Sequence, residues 1–171
     1  MKDLAAMVRD VPDFPKPGIL FKDITPLLQD AEAFRQAIDR MAEAWAGKKI
    51  DVVLGIEARG FLFASALAYK LNAGLVIVRK PGKLPYKTKS VTYALEYGTD
   101  SLQIHDDAIR AGQRVLIVDD VLATGGTVNA VTELVRQFNA DIAGIAFLSE
   151  LAFLRGREKL AAFELSTLIA F

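Results

Sequence analysis

The chain of 171 residues contains no cysteine, one histidine and one tryptophan. Without cysteine there are no disulfides, no thiolate metal sites and no cysteine nucleophile. One histidine also puts a histidine-rich zinc site out of reach. Net charge is missing too: 21 Lys and Arg balance 21 Asp and Glu, so no overall basic field draws the chain to nucleic acid. Although 52% of the residues are apolar, no run approaches the ~20 needed to cross a bilayer. The opening Met1-Lys2-Asp3-Leu4 lacks the apolar core and cleavage site of a signal peptide. Two familiar phosphate loops, G-x-x-x-x-G-K-[ST] and G-x-G-x-x-G, are absent as well. These exclusions leave the expectation of a soluble, cytoplasmic, single-domain protein that handles small molecules.

The most informative stretch present is Val115-Leu116-Ile117-Val118-Asp119-Asp120-Val121-Leu122-Ala123-Thr124-Gly125-Gly126-Thr127. Four large aliphatic residues in a row read as a strand buried on both faces, as in a parallel sheet. Two carboxylates follow at its carboxyl end, the edge where open parallel sheets place ligands. A Gly-rich turn into a helix exposes backbone N–H groups at the positive end of the helix dipole, which suits a phosphate. Thr124 and Thr127 add hydroxyl donors. Two acids beside a phosphate repel it unless they hold sugar hydroxyls or a magnesium ion, so a phosphorylated sugar fits better than a bare phosphate. An ordinary strand–turn–helix connection would read much the same, since turns favour Gly, Asp and Thr.

Elsewhere the pattern alternates. Residues 1–12 suggest a short helix, with Leu4, Met7 and Val8 on one side and Pro12 as its stop. Residues 13–28, with three prolines and a glycine, read as a rigid irregular loop of unusual apolar weight (Phe14, Ile19, Leu20, Phe21), either tucked onto the core or forming a hood for a flat ligand. Phe34, Ile38, Met41 and Trp45 mark an amphipathic helix over 31–45 that Asp30 would cap. Strands follow at 50–56 and 75–78. Between them, Glu57-Ala58-Arg59-Gly60-Phe61 turns into a helix over 61–71 with so little polar face that a second subunit would help cover it. Arg59 suits phosphate oxygens, and would equally suit a surface salt bridge. Lys80 to Ser90 is a basic loop without a periodic face, open to being plain solvated surface. Residues 92–97 and 101–105 form a hairpin-like pair, in which Glu96 reads as an exposed strand residue. His105, beside Asp106 and Asp107, looks like a turn residue without chemistry. A helix over 127–138, a buried strand over 141–148, a charged solvated segment over 152–160 and a final strand over 165–171 complete the chain. The expected fold is α/β, with a mostly parallel central sheet flanked by helices.

Four segments of the chain resemble type I phosphoribosyltransferases, and adenine phosphoribosyltransferases in particular. The segment V-L-I-V-D-D-V-L-A-T-G-G-T is similar to the family's signature for phosphoribosyl pyrophosphate (PRPP). Residues 14–25 resemble its F-P-x-P-G-[IV]-x-F-[RK]-D-[IV]-[ST] segment, Gly55 to Phe61 its pyrophosphate loop G-x-[DE]-[AS]-R-G-F, and Arg79 to Pro85 its lid R-K-x-G-K-L-P. Lys22 stands where Arg is more usual, and Val121 where Leu is common. The resemblance implies a hood over about residues 1–28, a core over about 30–171 and a lid loop over about 80–92. It implies transfer of the phosphoribosyl group from PRPP to adenine, giving AMP and pyrophosphate, with Mg2+. By position, Phe21 would stack on adenine while the backbones of Leu20 and Lys22 read its edge. Asp119 and Asp120 would hold the ribose hydroxyls, and Ala123, Thr124, Gly125, Gly126 and Thr127 the 5′-phosphate. Arg59, Lys80 and Lys83 would hold pyrophosphate, and Glu96 would manage protons on the base. Magnesium would ride mainly on PRPP, with Asp119 or Asp120 as candidate protein ligand, and the protein would be a homodimer. Another purine base, xanthine or guanine, or a PRPP-binding regulator without turnover, are the alternatives. A receiver-type phosphoacceptor domain has no use for the Gly-Gly-Thr cup.

Overall fold

Val115 to Val118 form the centre of the sheet because both of their faces have something to pack on. In the computed structural model, which describes residues 1–94 and 98–171, these four side chains are fully buried. Leu116 and Val118 point into one hydrophobic cluster, Val115 and Ile117 into another. A period-2 strand that is apolar at every position must be covered on both sides, and here it is.

The central sheet has five parallel strands in the order β4-β3-β7-β8-β9. They are β3 (Val52–Ile56), β4 (Gly74–Val78), β7 (Arg114–Leu122), β8 (Asp141–Glu150) and β9 (Leu165–Ala170). Helices α1 (Thr25–Gln29), α2 (Ala31–Glu43) and α3 (Gly60–Lys70) contribute to the first cluster with Leu27, Ile38, Met41, Phe63 and Leu67. Helix α4 (Gly126–Arg136) and the antiparallel hairpin of β5 (Thr88–Ala94) with β6 (Thr99–His105) contribute to the second with Val128, Val131, Leu102 and Ile104. Each such large apolar side chain, fully buried, is worth about 1.5–3 kcal/mol. As expected, Asp30 caps α2: its Oδ1 accepts from the backbone N–H of Glu32 at 3.1 Å and of Ala33 at 2.8 Å. Trp45 is core, with its indole N–H donating to Ser166 Oγ at 3.0 Å.

The N-terminal expectation is corrected. Residues 4–7 form turns, not a helix, and Arg9–Pro12 is a strand, β1, paired antiparallel with β2 (Leu20–Asp23). Leu4 is buried and Met7 and Val8 are partly buried against the same cluster, without any helix. The span 13–28 is likewise more regular than a loop, since it contains β2 and most of α1. The charged segment after β8 is two short 3-10 helices, Ala152–Leu154 and Gly156–Leu160, in which Gly156 and Leu160 are buried. His105 ends β6 instead of sitting in a turn.

Candidate active site

Two hollows adjoin at the carboxyl edge of the sheet. The first, about 180 Å3, is lined by Asp119 and by Val121 through Val128. The second, about 280 Å3, is lined by Glu57, Ala58, Arg59, Lys80, Tyr93, Asp100, Asp119, Asp120 and Thr127, among others. Asp119 and Thr127 line both, so the hollows are neighbouring subsites of one cleft.

The smaller hollow is a cup of backbone. Gly125 caps α4 in the left-handed conformation, φ +78°, a turn that glycine makes without steric cost. Among the described residues, the N–H groups of Ala123 through Thr127 donate to no protein acceptor, and they stand at the positive end of the α4 dipole. Behind this loop lies Gly156. A Cβ there would come within 2.2 Å of the Ala123 carbonyl oxygen and 3.1 Å of the Gly125 nitrogen. Gly156 therefore fixes the shape of the cup from below, a role hidden in the sequence by the charged residues around it.

The acid pair is set by close packing. Asp119 and Asp120 occupy the end of β7, where Asp119 Oδ1 accepts from the Asp120 backbone N–H at 2.9 Å. Burial, and then the neighbouring Asp120, push the Asp119 carboxyl well above the ordinary aspartate range. Burial also pushes Asp120 up, opposed chiefly by Arg59. Arg59 Nη2 lies 2.7 Å from Asp120 Oδ2, yet this ion pair lacks hydrogen-bond angles, and Oδ2 has no hydrogen-bond partner. Such an atom is costly to bury unless something donates to it.

Arg59 also ties the acids to the N-terminal hairpin. Its guanidinium sits 4.8 Å from the Phe21 ring centroid, and Nη1 donates to the Lys22 carbonyl at 3.4 Å. Phe21 packs edge-on against Phe14 at 5.0 Å, while Leu20 is half exposed on the hairpin. The Lys22 ammonium turns away, 2.6 Å from Asp10 Oδ1 and 4.0 Å from the Phe171 ring centroid. The basic stretch expected as a loop to about residue 92 gives way to β5 at Thr88, and of its lysines Lys80 lines the cleft, ion-paired with Asp100. Lys83 is exposed and outside the cleft lining; its carbonyl accepts from Arg79 Nη1 at 3.4 Å. Glu96 lies outside the described residues.

Sequence reasoning missed the groups that brace this cleft. Glu57 takes the guanidinium of Arg79 in a fork, at 3.2 and 3.1 Å, and the Lys80 backbone N–H at 2.9 Å. The Arg79 hydrogen bonds, first, and then the Lys80 N–H hold its carboxyl below the usual range. Tyr93 reaches both Asp100 Oδ2 at 3.3 Å and Thr127 Oγ1 at 3.4 Å. Acids at the ends of buried strands were a usable signal for Glu57; nothing local marked Tyr93 or Asp100.

The family model for the phosphoribosyl transferase domain matches residues 25–160, a span that contains both hollows. A curated adenine phosphoribosyltransferase from Syntrophotalea carbinolica is 57% identical over 171 residues, covering all of both chains. The chain belongs to the adenine phosphoribosyltransferases. The crystal structure of the adenine phosphoribosyltransferase from Thermoanaerobacter pseudethanolicus superposes with a TM-score of 0.96 at 55% identity, covering 98% of each chain. That of the Saccharomyces cerevisiae adenine phosphoribosyltransferase, complexed with an imino-altritol bisphosphate and adenine, gives 0.88 at 42% identity, over 97% of this chain and 95% of that one. The fold is thus the type I phosphoribosyltransferase fold, and the adenine phosphoribosyltransferases it joins are pentosyltransferases of purine salvage.

Proposed function

We propose that this chain transfers the 5-phosphoribosyl group of PRPP to adenine, giving AMP and pyrophosphate. The observation that carries this reading is the junction of the two hollows at Asp119 and Thr127. PRPP is a sugar between a monophosphate and a pyrophosphate, and the cleft offers a cup of amides, an acid pair and a basic wall in that order. The N–H groups of Ala123, Thr124, Gly125, Gly126 and Thr127, with the two threonine hydroxyls, grip the 5′-phosphate. Asp119 and Asp120 accept from the ribose hydroxyls, which gives Asp120 Oδ2, ion-paired with Arg59 but without a hydrogen bond, its donor. Arg59 and Lys80 face the pyrophosphate, with Lys83 joining from the lid when it closes. On the hairpin, Phe21 stacks on adenine while the backbones of Leu20 and Lys22 read its edge.

The reaction is displacement at the anomeric carbon. The bond from adenine N9 to that carbon forms as the bond to the pyrophosphate oxygen breaks, and the electron pair leaves with pyrophosphate. Positive charge grows on the ribose as this happens, and the acid pair lies where it favours that charge. Holding both reactants in line supplies much of the remaining acceleration. The proton on N9 must be lost, and Glu96 is our candidate to manage it.

Magnesium fits as a passenger of PRPP. Among the described residues no group of three or more acids, histidines or cysteines is arranged to hold a metal ion. A hard cation that keeps several waters and takes one or two carboxylates suits the Asp119–Asp120 rim together with phosphate oxygens. When bound it supplies neutralising charge at the departing pyrophosphate.

We further propose a homodimer in the cytoplasm. No helix among the described residues is long and apolar enough to cross a membrane. Helix α3 leaves Leu62 and Tyr69 exposed, and the edge strand β4 against which it packs leaves Leu75 and Ile77 exposed. An apolar face of that kind marks an interaction surface, and a second copy of this chain covers it. A gel-filtration mass of one chain at micromolar concentration would contradict the dimer. For the activity, a panel of adenine, guanine, hypoxanthine and xanthine with PRPP and Mg2+ should release pyrophosphate at least a hundredfold faster with adenine. Equal rates with another purine would move the assignment to that base, and no release with any would leave a binding protein.

A further inference from the structure

Among the described residues, three cations stand around the cleft, each paired with a carboxylate. Arg59 pairs with Asp120, Arg79 with Glu57, and Lys80 with Asp100. Asp120 has a task in the reading above, and Glu57 anchors both Arg79 and the Lys80 backbone. Asp100 has none, although it lines the same hollow as Asp119 and Arg59.

The surroundings of Asp100 are unlike those of a surface acid. Its Oδ1 accepts from the Ser101 backbone N–H at 2.8 Å, and its Oδ2 from the Tyr93 hydroxyl at 3.3 Å as well as from the Lys80 ammonium. The Lys80 contact is the main cause holding its carboxyl below the ordinary range. Tyr93 in turn is 3.4 Å from Thr127 Oγ1, in the wall of the phosphate cup.

We infer that Asp100 is a positioning residue, which keeps Lys80 parked in the cleft and competes with pyrophosphate for it. The inference rests on reading Lys80 as a pyrophosphate ligand. Lysine carries a compact charge on a flexible stem, so its ammonium can exchange one oxyanion for another without moving the backbone. For Lys80 to reach pyrophosphate its pair with Asp100 must break, and the carboxylate left behind repels the incoming oxygens. Both effects loosen the grip on pyrophosphate. The exchange strands nothing, because Asp100 keeps the Ser101 N–H and the Tyr93 hydroxyl after Lys80 has gone. Asp100 thereby works through Lys80 to let the product leave.

The test is the affinity of magnesium pyrophosphate for the full chain, by calorimetry, alongside inhibition of the forward reaction by pyrophosphate. Asp100→Asn and Asp100→Ser should each bind pyrophosphate at least threefold tighter and be inhibited at correspondingly lower concentrations. Asp100→Glu, which keeps the charge, should stay within twofold of the parent. In a Lys80→Gln background the gain from Asp100→Asn should fall to less than half. A merely structural Asp100 would give weaker binding of pyrophosphate and PRPP together. Neutral variants that bind no tighter than the parent, or tighten equally with and without Lys80, would overturn the inference. If Lys80→Gln weakens pyrophosphate but Asp100→Asn does not tighten it, only this inference fails. If Lys80→Gln leaves pyrophosphate affinity unchanged, the role given to Lys80 fails first.

Discussion

Gly60 and Asp119 touch so closely that no side chain fits between them: a Cβ on Gly60 would lie 2.8 Å from Asp119 Oδ1 and 3.0 Å from the Val118 carbonyl oxygen. The first turn of α3 is thus pressed against the end of β7, and the position of the Asp119 carboxyl depends on the missing atom. Gly60→Ala should cost about 1–3 kcal/mol through overpacking, lowering Tm by roughly 2–4 °C for each kcal/mol at this chain length. Steady-state kinetics should show kcat/KM for PRPP falling at least tenfold, because Asp119 is the more easily displaced side of the contact. A variant with parent-like Tm and kinetics would show that the contact relaxes freely.

Asp120 is the acid that Arg59 faces at 2.7 Å and that has a buried oxygen awaiting a donor. Asp120→Asn keeps the shape and removes the charge, so kcat/KM for PRPP should drop more than tenfold while the fold persists. An unchanged value would remove the ribose role from this residue.

These two contacts also show what could be read from the chain beforehand. The acid pair, the Gly-Gly-Thr turn and the strand Val115 to Val118 were legible because their signal is local: burial on both faces, then acids, then a turn at one helix start. The N-terminal hairpin was not. Arg9–Pro12 finds its partner at Leu20–Asp23, and Leu4, Met7 and Val8 alone imitate a helical stripe, so a non-local pairing overrode a local pattern. Lys80–Asp100 and Arg79–Glu57 are likewise partnerships across 20 and 22 residues, and no spacing rule selects them.

Gly156 is the plainest case of a site residue masked by composition. Arg155, Arg157, Glu158 and Lys159 are exposed around it, and the segment reads as solvated surface. Yet a Cβ would meet the Ala123 carbonyl at 2.2 Å and Leu122 Cδ1 at 2.9 Å. Gly156→Ala should therefore push the phosphate cup out of shape and raise KM for PRPP at least tenfold, whereas Lys159→Ala should leave it within twofold. Equal effects of the two substitutions would deny the cup its support.

Asp119 makes a prediction about pH. Its carboxyl titrates well above the ordinary aspartate value in the folded chain, so above that ordinary value the folded state binds more protons than the unfolded one. Stability is then lost as pH rises from the unfolded pKa through the folded one. Asp119→Asn retains an oxygen to accept from the Asp120 N–H and removes this cost. Its Tm should exceed the parent's at neutral pH, with the difference shrinking as pH falls toward the ordinary aspartate pKa. Calorimetric melts across that range would test it, and a Tm below the parent's at neutral pH would contradict the burial argument. The same variant should bind PRPP more weakly, placing the cost of folding and the gain in binding on one carboxyl.

The central claim is that the acid pair and the amide cup hold one sugar phosphate between them. A crystal structure of the protein with AMP tests it most directly. The account predicts the 5′-phosphate within hydrogen-bond distance of the N–H groups from Ala123 to Thr127, the ribose hydroxyls on Asp119 and Asp120, and the base against Phe21. A nucleotide seated elsewhere, or one whose phosphate lies against Arg59 and Lys80 in place of the cup, would contradict it.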